Sequence, residues 1–177
     1  MEFKIGKTKV LIVQGDIAEQ DVEAIGFSTN DRLWMGGRVG EALKKKAGED
    51  IETEAMKQGP LPIGEVAVTS GGELPVKHIL HTVIMGQDLK PTEETIRSGT
   101  RNLLKKADEM KINSLAVSAF GAGMGKVPAH ESARAMVDEI INGLLSAQNL
   151  KELRIVLHNE GIFRAFTEEF ERRFTRR

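Results

Sequence analysis

Short apolar runs alternate with longer stretches of helical period along this chain, and one junction between the two constrains the fold more than any other feature. Residues 114–119 are apolar and β-prone and run directly into Gly121-Ala122-Gly123-Met124-Gly125. Pro128 then opens a stretch in which Ala133, Met136, Val137, Ile140, Ile141, Leu144 and Leu145 recur on one helical face. Strand, glycine turn and helix thus follow in direct order. The same alternation holds elsewhere. Residues 9–13 form a β-rich run ended by Gly15-Asp16, residues 24–28 form a second, and residues 39–58 carry a helical period broken at Gly48 and stopped by Gly59-Pro60. Residues 65–69 and 76–85 read as strands joined by a turn holding Gly71-Gly72 and Pro75. Between Pro91 and Lys111, Ile96, Thr100, Leu103, Leu104, Ala107 and Met110 share a face, with Thr92 placed to cap it and Glu93 and Glu94 in its first turn. A last strand, residues 154–157, precedes a helix that turns Phe163, Phe166, Phe170 and Phe174 toward a core.

Strands alternating with helices imply an α/β fold: a three-layer α/β/α sandwich with a central mixed, largely parallel sheet covered by helices on both faces. A chain of 177 residues suits one domain, residues 1–177, better than two. In this architecture ligands collect at the carboxyl ends of the strands.

Charge and composition remove several function classes. Lys plus Arg is 25 against 26 for Asp plus Glu, so the broad basic field of a non-specific nucleic-acid binder is missing. Arg172, Arg173, Arg176 and Arg177 do cluster at the end, where cations also suit the end of a helix. Cysteine is absent, which excludes disulfides, thiolate nucleophiles and cysteine-based zinc sites. No run approaches the ~20 apolar residues of a membrane span, and residues 1–4 lack the apolar core of a secretory signal, so a cytoplasmic protein without membrane contact is expected. His78 and His81 lie three apart in an expected strand and point to opposite faces, and His130 and His158 add no metal-ligand spacing, so neither metal nor cofactor is expected.

Four polar or glycine-rich segments sit where strands end or helices begin: Gln14-Gly15-Asp16-Ile17, Thr29-Asn30-Asp31, Met35-Gly36-Gly37-Arg38-Val39 and residues 121–128. Glycine lets main-chain N–H groups approach an anion closely, and a helix N-terminus behind the loop adds partial positive charge. Gly123 to Lys126 is therefore either a phosphate cradle or a simple turn. It is not a Walker loop, because Phe120 stands where the first glycine belongs and Val127 where Ser or Thr does. Nor is it a dinucleotide fingerprint, whose third glycine would fall at Lys126. Asp16 is suited to accept from the exocyclic amine of adenine, or to serve as a turn cap. Ser28 and Ser118 lack the setting of a hydrolase nucleophile.

Together, the order and separation of these segments resemble the macro domain over nearly the whole chain. Gly15-Asp16-Ile17 is similar to that family's adenine-binding motif, with Ile17 supplying a main-chain N–H. Phe27-Ser28-Thr29-Asn30 stands where the family has Asn-Ala-Ala-Asn, and Asn30 keeps the asparagine that reaches the distal ribose. Gly36, Gly37, Arg38 and Val39 resemble the glycine-triplet loop, and Ala122, Gly123, Met124, Gly125 and Lys126 the second diphosphate loop. His158 falls where relatives place an aromatic ring beside adenine, with Asn159 next to it. The resemblance implies binding of ADP-ribose or a related nucleotide, free or on an ADP-ribosylated protein.

Two departures bear on activity. Phe27 replaces the first asparagine, and Arg38 the third glycine, where its guanidinium either pairs with the diphosphate or obstructs it. Members that hydrolyse ADP-ribose from proteins carry an aspartate just after the valine of the glycine loop, and here that position is Gly40, with Glu41 rotated about 100 degrees away on a helix. The resemblance thus implies a binder first, with Asn30 the residue to place a reacting ribose if there is turnover. The alternatives are an ADP-ribosyl hydrolase or ADP-ribose-1″-phosphate phosphatase, and then a poly-ADP-ribose or nucleic-acid binding module.

Overall fold

The computed structural model describes residues 1–123 and 126–174. Seven strands form one sheet: β1 (Glu2–Ile5), β2 (Thr8–Gln14), β3 (Ala24–Asn30), β4 (Val66–Ser70), β5 (His78–Met85), β6 (Ser114–Val117) and β7 (Glu152–Leu157). Their spatial order is β1-β2-β7-β6-β3-β5-β4. The five inner strands run parallel, and the edge strands β1 and β4 pair antiparallel with their neighbours. The expected mixed, largely parallel sheet is what forms. Its interior strands are legible because burial on both faces demands apolar residues at nearly every position.

Helices α1 (Gly37–Ala47) and α2 (Asp50–Met56) cover one face, and α3 (Glu93–Glu109), α4 (Ala129–Ser146) and α5 (Glu160–Phe174) cover the other. Strand alternation sorts the core between them. Leu115 and Val117 of β6 pack toward the three-helix side, while Ala116 between them packs toward α1 and α2. The helical period over residues 39–58 thus resolves into two helices. Gly48 ends the first at φ +101°, with its N–H on the Lys44 carbonyl. Thr92 caps α3 as expected. Its hydroxyl accepts from Thr95 N at 3.2 Å while its own N–H donates to Thr95 Oγ1 at 2.9 Å.

Strand β1 has no counterpart among the sequence expectations. Gly6 makes the hairpin to β2 at φ +57°, and a Cβ there would lie 2.5 Å from the Leu144 carbonyl oxygen. Phe3 secures this edge by stacking on Phe170 and Phe174, at ring separations of 5.3 and 4.9 Å. Of the four C-terminal phenylalanines, Phe166 and Phe170 are fully buried, and Phe163 and Phe174 flank the same core. The terminal arginines serve this packing too. Arg172 pairs with Glu169, and Arg173 reaches Glu169 and Asp138 of α4. Arg176 and Arg177 lie outside the described residues. Among the described residues, no helix is long and apolar enough to cross a membrane.

Candidate functional site

The carboxyl ends of β2, β3 and β5 and the segments that follow β6 and β7 open onto one crevice, as expected of a sheet of this kind. It has two adjoining recesses, one narrow beside the start of α1 and the strand ends and one wider beside Asp16. Arg38, Val39, Ser118 and His158 line both, so the recesses are continuous.

The outer recess holds Asp16 and Ile17. Asp16 caps a 3-10 turn, Ile17–Glu19, its Oδ1 accepting from Ala18 N at 2.8 Å. Its Oδ2 pairs with Lys46 of α1 at 3.0 Å. Burial alone would raise its pKa, but the Ala18 N–H and Lys46 outweigh this and hold it below the ordinary carboxylate value. Asp16 is thus both a cap and an ionised acceptor at the rim of the recess.

The central recess is built from α1 and the strand ends. Gly36 is the N-cap of α1, and Gly37 and Arg38, expected in a loop, form its first turn with Val39. This start of α1 suits an anion, because first-turn N–H groups have no partner within the helix. No acidic residue stands in that turn, and no carboxylate lines the recess among the described residues. Glu52 of α2 anchors the approach, its Oε2 accepting from Met35 N at 2.6 Å and facing Lys44 at 3.4 Å. Arg38 is exposed at the junction and makes no hydrogen bond or ion pair among the described residues. His158 faces it. Partial burial, and then the Arg38 charge, lower the imidazole pKa below its ordinary value.

Asn30, 2% exposed, lines the far end together with Ser28 and Trp34, and Ala122 and Gly123 close the opposite wall. Asn159 and Lys126, expected at the ligand, stand outside the lining among the described residues. Asn159 lines neither recess; its Oδ1 accepts from Ile162 N at 2.8 Å and caps α5. Lys126 is exposed, is not among the lining residues, and donates its N–H to Gly123 O at 3.1 Å within a turn at φ +56°. Met124 and Gly125 lie outside the described residues. Phe27, where the motif has asparagine, turns into the core with its ring edge on His81, 5.0 Å between centroids, and does not line the crevice.

The structure adds Trp34, Ser118, Met85 and Ile162 to the lining. Only Trp34 carried a signal, as the single tryptophan, two residues before Gly36. Gly40 lines the recess as well, and a Cβ there would lie 3.2 Å from the Met35 carbonyl carbon. Among the described residues no group of His, Asp and Glu could hold a metal ion.

The Macro domain family model matches residues 28–136, which span Asn30, the start of α1 and the turn before α4. The chain belongs to the macro domain family. It is 32% identical to an uncharacterized protein of Pyrobaculum aerophilum, over 97% of this chain and 96% of that protein. Among solved structures, a mutant of the Oceanobacillus iheyensis macrodomain with ADP-ribose superposes with a TM-score of 0.89 at 27% identity, covering 99% of both chains. The same macrodomain with ADP gives 0.86 at 28% identity, over 99% of this chain and 96% of the other. In this macro domain the strands and helices that frame both recesses are those of the superposed structures, which cover 99% of the chain.

Proposed function

We propose that the crevice binds ADP-ribose or a close derivative, with adenine in the outer recess, the diphosphate at the first turn of α1 and the distal ribose beside Asn30. One observation carries this reading: a carboxylate recess and an amide recess meet at Arg38 and the N-terminus of α1. An ionised acceptor, a cluster of donors with a free cation, and a buried amide follow one another in the order that purine amine, pyrophosphate and sugar require. The complexes of the Oceanobacillus iheyensis macrodomain with ADP-ribose and ADP support this class of ligand.

Binding, not turnover, is the function this site supports best. Gly40 stands where hydrolysing members carry aspartate, and the carboxylate of Asp31 is engaged by Gln87 at 2.6 Å instead of entering the recess. The ligand would then be recognised free or displayed on an ADP-ribosylated protein. Calorimetric titration with ADP-ribose tests the proposal. Saturable binding is expected, and a protein indifferent to millimolar ligand overturns it. Incubation with ADP-ribose-1″-phosphate, O-acetyl-ADP-ribose and an ADP-ribosylated protein tests the absence of turnover, and rapid product from any of them would make it an enzyme.

A further inference from the structure

Asn30 is the most buried polar group at the far end of the crevice, and its amide is almost fully engaged. Its Oδ1 accepts from Arg32 N at 3.1 Å and from Gln87 Nε2 at 3.1 Å, and its Nδ2 donates to the Trp34 carbonyl at 2.9 Å. Both ends of Asn30 are assigned by main-chain partners: an N–H can meet only the oxygen, and a carbonyl only the nitrogen. Gln87 is assigned in the same way. Trp34 Nε1 is a donor and lies 2.8 Å from Oε1, which leaves Gln87 Nε2 to serve Asn30 and Asp31, the latter at 2.6 Å.

Both lone pairs of Asn30 Oδ1 are taken, and one of the two Nδ2 hydrogens is spent on Trp34, so Asn30 has a single remaining capacity: to donate one hydrogen bond. It meets an oxygen of the ligand, not a hydroxyl hydrogen. Gln87, just after β5 and 57 residues from Asn30, is not itself among the lining residues and reaches the crevice through Asn30 and the indole of Trp34.

We propose that Gln87 is a positioning residue that holds Asn30 as a one-directional donor and Trp34 as the end wall, so that the site selects ligands with an acceptor oxygen on a distal sugar. The proposal rests on the ADP-ribose reading and names the part of that ligand which Gln87 helps to read. Removing Gln87 leaves Arg32 N and the Trp34 carbonyl to oppose an amide flip, so the loss is of rigidity and of the wall. A selective decrease of roughly three- to ten-fold in affinity follows.

The test compares ADP-ribose with ADP, which lacks the distal ribose, on wild-type protein, Gln87→Met and Gln87→Glu. Methionine matches the length of glutamine without its hydrogen bonds. Glutamate keeps an acceptor for Trp34 but cannot donate to Asn30 and is repelled by Asp31. Gln87 is exposed, so both variants are expected to fold. With one tryptophan and no tyrosine, intrinsic emission reports Trp34 alone, and it should shift in ligand-free Gln87→Met. Calorimetry should show both variants losing affinity for ADP-ribose while their affinity for ADP stays within about two-fold of wild type. Equal losses for the two ligands, or none, overturn the role of Gln87. Failure of wild-type protein to bind either ligand overturns the ADP-ribose reading instead.

Discussion

Asparagine at position 16 separates the two tasks of the aspartate. Asp16 Oδ1 caps the 3-10 turn through Ala18 N at 2.8 Å, and an asparagine oxygen can do the same. The second atom becomes an amide nitrogen, which can neither accept from the adenine amine nor pair with Lys46. Loss of the half-exposed Lys46 pair should cost stability at most about 1 kcal/mol, so the fold should survive. Loss of the ionised acceptor removes a charge-assisted hydrogen bond, about 1.5 to 3 kcal/mol. ADP-ribose affinity should therefore fall roughly ten- to hundred-fold. The inosine analogue, with a carbonyl in place of the amine, adds a sign to this magnitude. Wild-type Asp16 repels that carbonyl, while the new amide donates to it, so the preference for adenine should shrink or reverse in Asp16→Asn. Calorimetry with both ligands measures this, with a melting curve to establish folding. An unchanged dissociation constant for ADP-ribose in a folded variant would refute adenine recognition by Asp16.

Two further outcomes follow from charge. Arg38→Gly should weaken ADP-ribose roughly three- to thirty-fold and flatten its salt dependence, because Arg38 projects its charge across the crevice onto His158 and pairs with no anion among the described residues. Tighter binding by calorimetry would show instead that the side chain obstructs the ligand. His81 should make the fold acid-sensitive. His81 Nε2 shares a hydrogen bond with Thr69 Oγ1 at 2.9 Å, and Nδ1 is buried without a partner among the described residues, so the site has nothing to stabilise a second ring proton. Burial lowers the pKa from 6.5 to about 3, so the unfolded chain takes the proton first. The contribution to stability is complete above pH 6.5 and is lost as pH falls toward about 3, at about 1.4 kcal/mol per pH unit. Denaturant unfolding at pH 8 and pH 4.5 should show a difference larger by about 3 kcal/mol in wild type than in His81→Gln, and equal pH dependence in the two would refute the assignment.

What the sequence reveals of this molecule depends on whether a residue's role is set by its neighbours in the chain or by distant ones. The inner strands and α3 are local problems, stated by apolar runs and by Thr92 at the cap, and they are where the sequence places them. Strand β1 escapes because it is an edge. Its alternation is short, it sets Lys4 opposite Lys9, and Phe3 becomes legible only beside Phe170 and Phe174, more than 160 residues away. The site divides in the same way. Gly36 and Gly37 announce main-chain contacts by their identity, so the crevice is readable wherever backbone shapes it, although the start of α1 is hidden among those glycines. Asn159 misleads because helix capping and ligand contact ask for the same residue type, and only the N–H of Ile162 at 2.8 Å decides between them. The link from Gln87 to Trp34, Asn30 and Asp31 leaves no local trace, since Gln87 is an ordinary polar residue until the sheet brings β5 beside β3. Relatives that share this backbone can therefore differ in what their crevices prefer through side chains lying just behind the lining.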